Sequence, residues 1–574
     1  MSKKVLIVGG VAGGASAAAR LRRLDETAEI IMFERDEYIS FANCGLPYYI
    51  GGTIKEREAL LVQTPESMKS RFNIDVRIYS EVIGLDTHNK VATIKNKDQS
   101  VYEETYDYVV LSPGAKAIKP NIEGIKSERI LSLRNILDTD SIKAYVDKAE
   151  TKSAVVIGGG FVGVEMAENL KHRGLDVTIV EAAPHVMAPF DSDIVLAVEK
   201  EISDHGVRLI LNDGVKAFKE QGSGVEITLN SGATLTTDLV VLAIGVFPDT
   251  GFLNNSGIKL GARGHILVNA NLETNAENVF AVGDAIEVVD FVNKQNTTIP
   301  LAGPANKQGR IAADNIAGLR TSYKGTQGTS IIKVFDMTAA STGNNERTLK
   351  RLNISYKTIT VHLTAHASYY PGALMMTLKL IFSEEGKVLG AQAVGADGVD
   401  KRIDVIATVI RLGGTVTDLT ELELCYAPPF SSAKDPVNMA GYVAENILAG
   451  RVEVITTEQL AAYDRENTIL LDVRTEIEYN TGGHIEGSIN IPVDSLRGKL
   501  AELDKTKEIL EYCQIGLRGY VASRILTQNG FKAKNIDGGF KSCLMSPFKP
   551  TTVDPVETSD KPPIDPDTQV LKGN

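Results

Sequence analysis

The sequence predicts an α/β protein of several domains, and three observations carry that prediction. A strand, a glycine-rich turn, a helix, a second strand and a closing acid follow one another twice, ~150 residues apart. After Gly450-Arg451 the character of the chain changes, and a strand, a cysteine-bearing loop and a helix follow. The 574 residues also exceed what one hydrophobic core sustains, which sets a prior of about three to five domains.

Composition narrows the class. Hydrophobic residues at 43% and charged residues at 23% are those of a globular protein. The 51 glycines suggest tight turns and phosphate-binding loops. A net charge of -12 argues against a nucleic-acid partner, although a local basic patch can still grip a phosphorylated ligand. Four cysteines in so long a chain are not a disulfide scaffold; they fit a reducing, cytoplasmic setting with individually reactive thiols. No apolar run approaches the ~18 residues of a membrane helix. Lys3-Lys4 before Val5-Leu6-Ile7-Val8 imitates a signal peptide, but Gly9-Gly10 breaks the run at once, so it reads as a first strand. Neither a metal site nor a membrane partner is expected.

The first repeated unit runs from Val5–Val8 through Gly9-Gly10-Val11-Ala12-Gly13-Gly14 into an alanine-rich helix carrying Arg20 and Arg23. The strand after it ends at Glu34. Glycines let the backbone approach a pyrophosphate at a helix N-terminus, and the acid accepts from ribose hydroxyls, so the unit reads as a dinucleotide site. It departs from G-x-G-x-x-G at Val11. The second unit has the full pattern: Ala154–Ile157, then Gly158-Gly159-Gly160-Phe161-Val162-Gly163, a helix with Glu165 and Glu168, and a strand ending at Glu181. An acid there repels a 2′-phosphate, and no Arg or Lys follows in Ala182-Ala183-Pro184, which favours NADH over NADPH. Three further strands, Tyr108–Leu111, Val240–Leu242 and Val279–Ala281, end in small-residue turns, the last at Gly283-Asp284.

With these segments the chain resembles the pyridine nucleotide–disulfide oxidoreductase family over roughly residues 1–450. The resemblance implies two Rossmann-like dinucleotide-binding domains, for FAD (1–112 and 246–325) and for NADH (113–245), and an α+β dimerisation domain (326–450). FAD would be held by Gly9, Ala12, Gly13, Gly14, Glu34 and Arg35, with Asn43, Val82, Ser112 and Gly114 nearby. Asp284, with Gly283, would bind its ribityl and phosphate region, and Arg134 with Pro300, Leu301 and Ala302 would line the isoalloxazine. NADH would meet Gly158, Gly160, Phe161, Val162, Gly163, Glu181 and Gly245. A homodimer with an active site shared across its interface is implied as well.

Cys44 stands alone in Ser40-Phe41-Ala42-Asn43-Cys44-Gly45, with Tyr49 where a second thiol could have stood. Its redox partner must come from outside the segment: a small thiol, an oxygen as sulfenic acid, or a sulfane sulfur. The segment resembles the single-cysteine branch of the family, which includes coenzyme A disulfide reductases, NADH oxidases and NADH peroxidases. The first glycine loop lacks the histidine of the oxidase and peroxidase subgroup. Arg20 and Arg23 share a helix face, Arg22 points elsewhere, and Arg71 is a further cation for coenzyme A phosphates. Resemblance adds Ser40, Phe41, Asn43 and Asn306 to a coenzyme A site, the coenzyme being substrate or tightly bound. It also brings Tyr369 (or Tyr370) and Tyr426 to the active-site sulfur from the partner subunit. Cys425 reads as a small buried residue.

In the C-terminal part, Asn467–Arg474 reads as a strand, Glu478-Tyr479 with Gly483–Pro492 as turn and strand, and Ile509–Tyr512 as the strand before Cys513-Gln514-Ile515-Gly516-Leu517-Arg518. A sulfur between strand and helix sits in a ring of backbone N–H groups that stabilises an anionic persulfide; Arg518 adds a positive charge. The run resembles a single α/β rhodanese domain (451–550). Cys543 reads as lying beyond the core, and the Pro- and Asp-rich tail (551–574) as an extended covering segment. The whole resembles a coenzyme A disulfide reductase fused to rhodanese, reducing coenzyme A persulfide, polysulfide or coenzyme A disulfide through Cys44 and carrying sulfane sulfur on Cys513. An NADH oxidase or peroxidase, or a redox-regulated sulfur-delivery module, stands as the alternative.

Overall fold

Each repeated unit folds into the same five-stranded parallel sheet in the computed structural model, which describes residues 2–547 and 549–553. The first sheet orders its strands Val279–Ala281, Tyr108–Leu111, Lys4–Val8, Glu29–Phe33, Asp75–Arg77. The second orders Arg208–Ile210, Asp176–Val180, Ser153–Ile157, Leu239–Leu242, Ile130–Ser132. These strands are short apolar runs because both faces are covered, as parallel sheets require. Val5, Leu6, Ile7, Val109, Val110 and Leu111 have no exposed surface. Each unit adds a three-stranded antiparallel meander, at 80–105 and at 215–237.

The chain divides into two compact units, one of residues up to 186 with 206–328, the other of 187–205 with the chain from 329 onward. The helix Ser192–Asp204, inside the range expected for the NADH domain, therefore belongs to the second unit. There it packs on the antiparallel sheet Ser330–Val334, Met337–Gly343, Val388–Gly395, Met375–Phe382, Lys357–Thr364. A buried ion cluster fastens it. Lys379 Nζ, on the sheet, lies 2.8 Å from Asp193, 3.3 Å from Asp191 and in contact with Glu346. Burial opposes the charge on Lys379, but the three carboxylates outweigh it and hold the ammonium well above its ordinary range.

The C-terminal part builds a third parallel sheet, Val454–Ile455, Lys532–Ile536, Glu508–Tyr512, Thr468–Asp472, Ile489–Asn490. Glu478-Tyr479, expected as a turn, lies in a helix, Glu476–Thr481, opened by a capping box in which Thr475 and Glu478 satisfy each other's backbone N–H. Cys543 is not beyond the core: it has no exposed surface and packs with Tyr512 and Phe540. Of the tail, Thr552–Val553 pairs antiparallel with His484–Ile485; residues 554–574 lie outside the described ones. Two bonds join this sheet's loops to the strand Lys357–Thr364. The Thr360 N–H donates to Asp537 Oδ1 at 3.1 Å, and His362 Nε2 lies 2.9 Å from Ser542 Oγ. No helix among the described residues is long and apolar enough to cross a membrane.

Candidate active site

A cavity of about 1300 Å³ opens where the first sheet's strand order reverses, at the carboxyl ends of Lys4–Val8 and Tyr108–Leu111. Every residue expected to hold FAD lines it except Gly14. Gly14 acts from behind: a Cβ there would come within 1.9 Å of the Gly9 carbonyl oxygen, so only glycine lets helix and loop close up. The same 1.9 Å recurs between Gly163 and the Gly158 carbonyl oxygen in the second unit. Val11 is tolerated because the corresponding Gly160 has nothing within 4 Å of its would-be Cβ; its side chain projects into the cavity. The helices Ala12–Leu24 and Phe161–His172 begin with no side-chain cap and no acid in the first turn. Their leading N–H groups are left for an anion, so the residues present fit a dinucleotide pyrophosphate in each unit.

The closing acids brace the loops from below. Glu34 accepts from the Gly10 N–H at 2.9 Å and the Arg35 N–H at 2.8 Å; Glu181 accepts from Gly159 at 2.6 Å and Ala183 at 2.8 Å. Each acid thus fixes the glycine turn in addition to the ribose role expected of it. Arg134 Nη2 lies 2.7 Å from Asp284 Oδ2, so the two residues placed on opposite parts of FAD are an ion pair on one cavity wall.

Cys44 sits in the short 3-10 turn Asn43–Gly45, exposed on the same wall as Ser40, Phe41, Asn43 and Asn306. Its thiol is pushed above the ordinary range by burial of the sulfur, then by the Glu165 and Asp284 carboxylates, with Arg134 opposing. Glu165 was read only as a residue of a nucleotide-unit helix. It is half-buried, accepts from Tyr48 Oη at 3.2 Å, and desolvation lifts its carboxyl to about 7. Tyr49 is packed in a small apolar cluster with Leu46, Leu60 and Ile136.

Arg20, Arg23 and Arg71 are not among the residues lining the cavity. Arg20 Nε is bound to Asp314 at 2.7 Å, Arg23 and Arg71 are exposed, and Arg22 is buried on four backbone carbonyls. The second unit carries Tyr369 and Tyr426 side by side, their hydroxyls 2.8 Å apart and both rings exposed. Tyr370 is exposed beside them, edge-on to His366. Cys425 is exposed, not buried: the Pro-rich turn that follows it keeps it off the core.

Cys513 is fully buried at the mouth of the Leu517–Gln528 helix, and the Gly516 N–H donates to its sulfur at 3.2 Å. Arg518 is not a free charge. Glu478 takes both of its terminal nitrogens, at 2.7 and 2.8 Å. Burial pushes the Glu478 carboxyl up, but Arg518 and Thr475 together hold it below the usual range. Arg474 is likewise forked onto Asp472. The sequence signal for Glu478 was the T-x-x-E capping box; its partnership with Arg518, 40 residues on, had none.

Family models match the chain in three stretches: pyridine nucleotide-disulphide oxidoreductase over residues 3–309, its dimerisation domain over 329–436, and a rhodanese-like domain over 456–545. The coenzyme A disulfide reductase of Staphylococcus epidermidis is 38% identical over 445 residues, which cover 77% of this chain and 100% of the relative. Among solved structures, reduced Bacillus anthracis CoADR-RHD is 53% identical, covers 94% of this chain and 98% of its own, and superposes with a TM-score of 0.92. The NAD-dependent persulfide reductase of A. fulgidus is 36% identical, covers 94% and 99%, and has a TM-score of 0.87. The water-forming NADH oxidase of Lactobacillus brevis is 27% identical over 78% of this chain and 100% of its own, with a TM-score of 0.76.

Proposed function

The chain belongs to the pyridine nucleotide-disulphide oxidoreductase family and carries a rhodanese-like domain, and on that premise we propose that it is an FAD-dependent NADH reductase of coenzyme A persulfide or coenzyme A disulfide. The observation that carries this reading is Cys44: one exposed thiol on the wall of a dinucleotide cavity, with no second cysteine in its segment. FAD, when bound, passes the electron pair of NADH to sulfur at Cys44. The chain's own part is sulfur exchange. The Cys44 thiolate attacks coenzyme A persulfide. Attack on the inner sulfur leaves a Cys44–coenzyme A disulfide and expels hydrosulfide; attack on the outer sulfur leaves Cys44 persulfide and coenzyme A. Either way one NADH and one proton yield NAD⁺, coenzyme A and hydrogen sulfide. With coenzyme A disulfide the yield is two coenzyme A.

Arg23, Arg71 and, after release from Asp314, Arg20 would hold the coenzyme A phosphates. Ser40, Phe41, Asn43 and Asn306 would seat its thiol end near Cys44. Tyr369 and Tyr426, in a homodimer, would donate a proton to the departing thiolate. Cys513 would load sulfane sulfur from polysulfide and pass it to coenzyme A, a step that tethering in one chain brings to an effective concentration of roughly millimolar. The absence of histidine from Gly9–Gly14 weighs against an oxidase or peroxidase. The test is NADH oxidation by the purified, FAD-containing protein with coenzyme A persulfide. Turnover with kcat/KM for NADH above that for NADPH is expected because of Glu181. Turnover with oxygen or peroxide alone would overturn the reading.

A further inference from the structure

Two residues before the rhodanese-like cysteine lies a carboxyl group that the reading above leaves without a task. Glu511, Tyr512 and Cys513 leave the strand Glu508–Tyr512 in succession, and alternation puts Glu511 on the same sheet face as Cys513, under the Leu517–Gln528 helix. Glu511 and Ser523 have no exposed surface. By hydrogen-bond geometry both carboxyl oxygens of Glu511, Asn535 Oδ1 and Ser523 Oγ are buried and unmatched among the described residues, with Ser523 near enough to Glu511 to favour its charged form. Asn535 is the neighbour of Glu511 across the parallel strand pair. Gly519 admits it: a Cβ at 519 would stand 2.1 Å from Asn535 Oδ1.

We propose that Glu511, as a neutral carboxylic acid, and Asn535 together position the Gly516 peptide that donates to the Cys513 sulfur. The proposal rests on the rhodanese reading of Cys513. The first argument is a proton count. With Glu511 ionised, three of the four orphaned oxygens can only accept, and Ser523 brings one proton. Protonating Glu511 supplies the missing donor. The second is orientation. Asn535 Nδ2 donates to the Gly516 carbonyl at 3.3 Å, and the Gly516 N–H donates to Cys513 Sγ at 3.2 Å. An acid that donates to Asn535 Oδ1 keeps Nδ2 turned toward Gly516. An ionised carboxylate attracts Nδ2 instead, and the amide turned over would set Oδ1 against the Gly516 carbonyl.

Among the described residues, the nearby cations already have partners and none is left to offset an ionised Glu511. Arg518 is taken by Glu478, Arg524 by the Arg451 carbonyl, Lys534 by Glu508, and Arg474 by Asp472. Burial lifts the carboxyl to about 8, outweighing the Ser523 hydroxyl and its own backbone N–H, which favour the charged form; Glu508 adds to the rise. A neutral group beside Cys513 also adds no repulsion when the sulfur becomes a persulfide anion. Glu511 is a positioning residue, since it acts on the sulfur through Asn535 and the Gly516 peptide.

The test uses the full-length holoenzyme. Two quantities are read between pH 6 and 10: iodoacetamide alkylation of Cys513, followed on its own peptide by mass spectrometry, and sulfane-sulfur transfer from inorganic polysulfide. In the native protein both should break downward near pH 8. In Glu511→Gln, which keeps a donor and cannot ionise, that break should vanish. Glu511→Leu, which removes the donor, should slow transfer about tenfold at pH 7, while Cys44-dependent reduction of coenzyme A persulfide stays unchanged. Superimposable alkylation profiles of native protein and Glu511→Gln overturn the proposal, even if Glu511→Leu fails to fold. A native protein that transfers no sulfur at any pH refutes the rhodanese reading instead, and the alkylation profiles still decide whether Glu511 governs Cys513.

Discussion

Cys44 and Cys513 are set in opposite surroundings. Cys44 stands exposed on a three-residue turn, and beyond the partial burial of its sulfur the groups that shift it are side chains: Glu165 and Asp284 raising, Arg134 lowering. Cys513 has no exposed surface and is held by a main-chain N–H between strand and helix, with its nearby arginines already spent on Glu478 and Asp472. The difference teaches where control lies. A thiol governed by side-chain charge responds to each proton or phosphate that arrives. A sulfur held by backbone answers to whatever moves that backbone, the role proposed for Glu511 and Asn535.

The comparison breaks most easily at the sulfurs themselves. Cys44→Ser should abolish reduction of coenzyme A persulfide and leave flavin reduction by NADH intact, seen as bleaching of the flavin band. Cys513→Ser should eliminate sulfurtransferase activity and spare reduction of preformed coenzyme A persulfide. If both variants lost that reduction equally, the two sulfurs would share one obligatory step and the contrast would fall.

Removing Arg20 and Arg23 together, each as Ala, sharpens the contrast at the substrate end. A charge-assisted phosphate contact contributes roughly 1.5–3 kcal/mol, so KM for coenzyme A persulfide should rise at least about tenfold, with little change for inorganic polysulfide. Arg23 should carry the larger share, because Arg20 must first leave Asp314. Equal effects on both substrates would reduce the pair to an ordinary solvated face.

The smallest effect is expected at Glu165. Its carboxyl, lifted by burial to about 7, ionises through neutrality, and the negative charge raises the Cys44 thiol. Glu165→Gln removes that charge, so the pH midpoint for alkylation of Cys44 should fall, while that of Cys513 stays put. An unmoved Cys44 midpoint would show that burial alone sets it.

What was legible in the chain follows from how local each signal is. The two nucleotide units could be read because strand, turn, helix and acid lie within about 30 residues and each has its own chemistry. Even the departure at Val11 was harmless, for a reason only space reveals: the matching Gly160 faces nothing. Long-range partnerships were not legible. The amphipathic Ser192–Asp204 helix does not say which sheet it covers, and the answer lies with Lys379. Arg518 was read as a positive charge beside the loop, and its partner Glu478, 40 residues away in sequence, could not be read. Cys425 and Cys543 were misplaced in opposite directions, one exposed and one in the core, because a lone cysteine carries no periodicity to place it.

The bonds from Thr360 to Asp537 and from His362 to Ser542 bear on how such a protein can be recombined. Asp537 and Ser542 flank the Gly538-Gly539 turn, and the next N–H groups, of Phe540 and Lys541, donate to the carbonyls of Cys513 and Gln514 at 2.8 and 3.0 Å. The sulfur loop is therefore anchored, through one short turn, to a strand some 150 residues earlier in the chain. A rhodanese cassette spliced in from elsewhere would need a carboxylate and a hydroxyl at those two places. Without them it would leave the half-buried Thr360 N–H and one nitrogen of the buried His362 ring unanswered, the latter costing on the order of 1–3 kcal/mol. The change at Gly450-Arg451 is a boundary in the sequence and not in the fold.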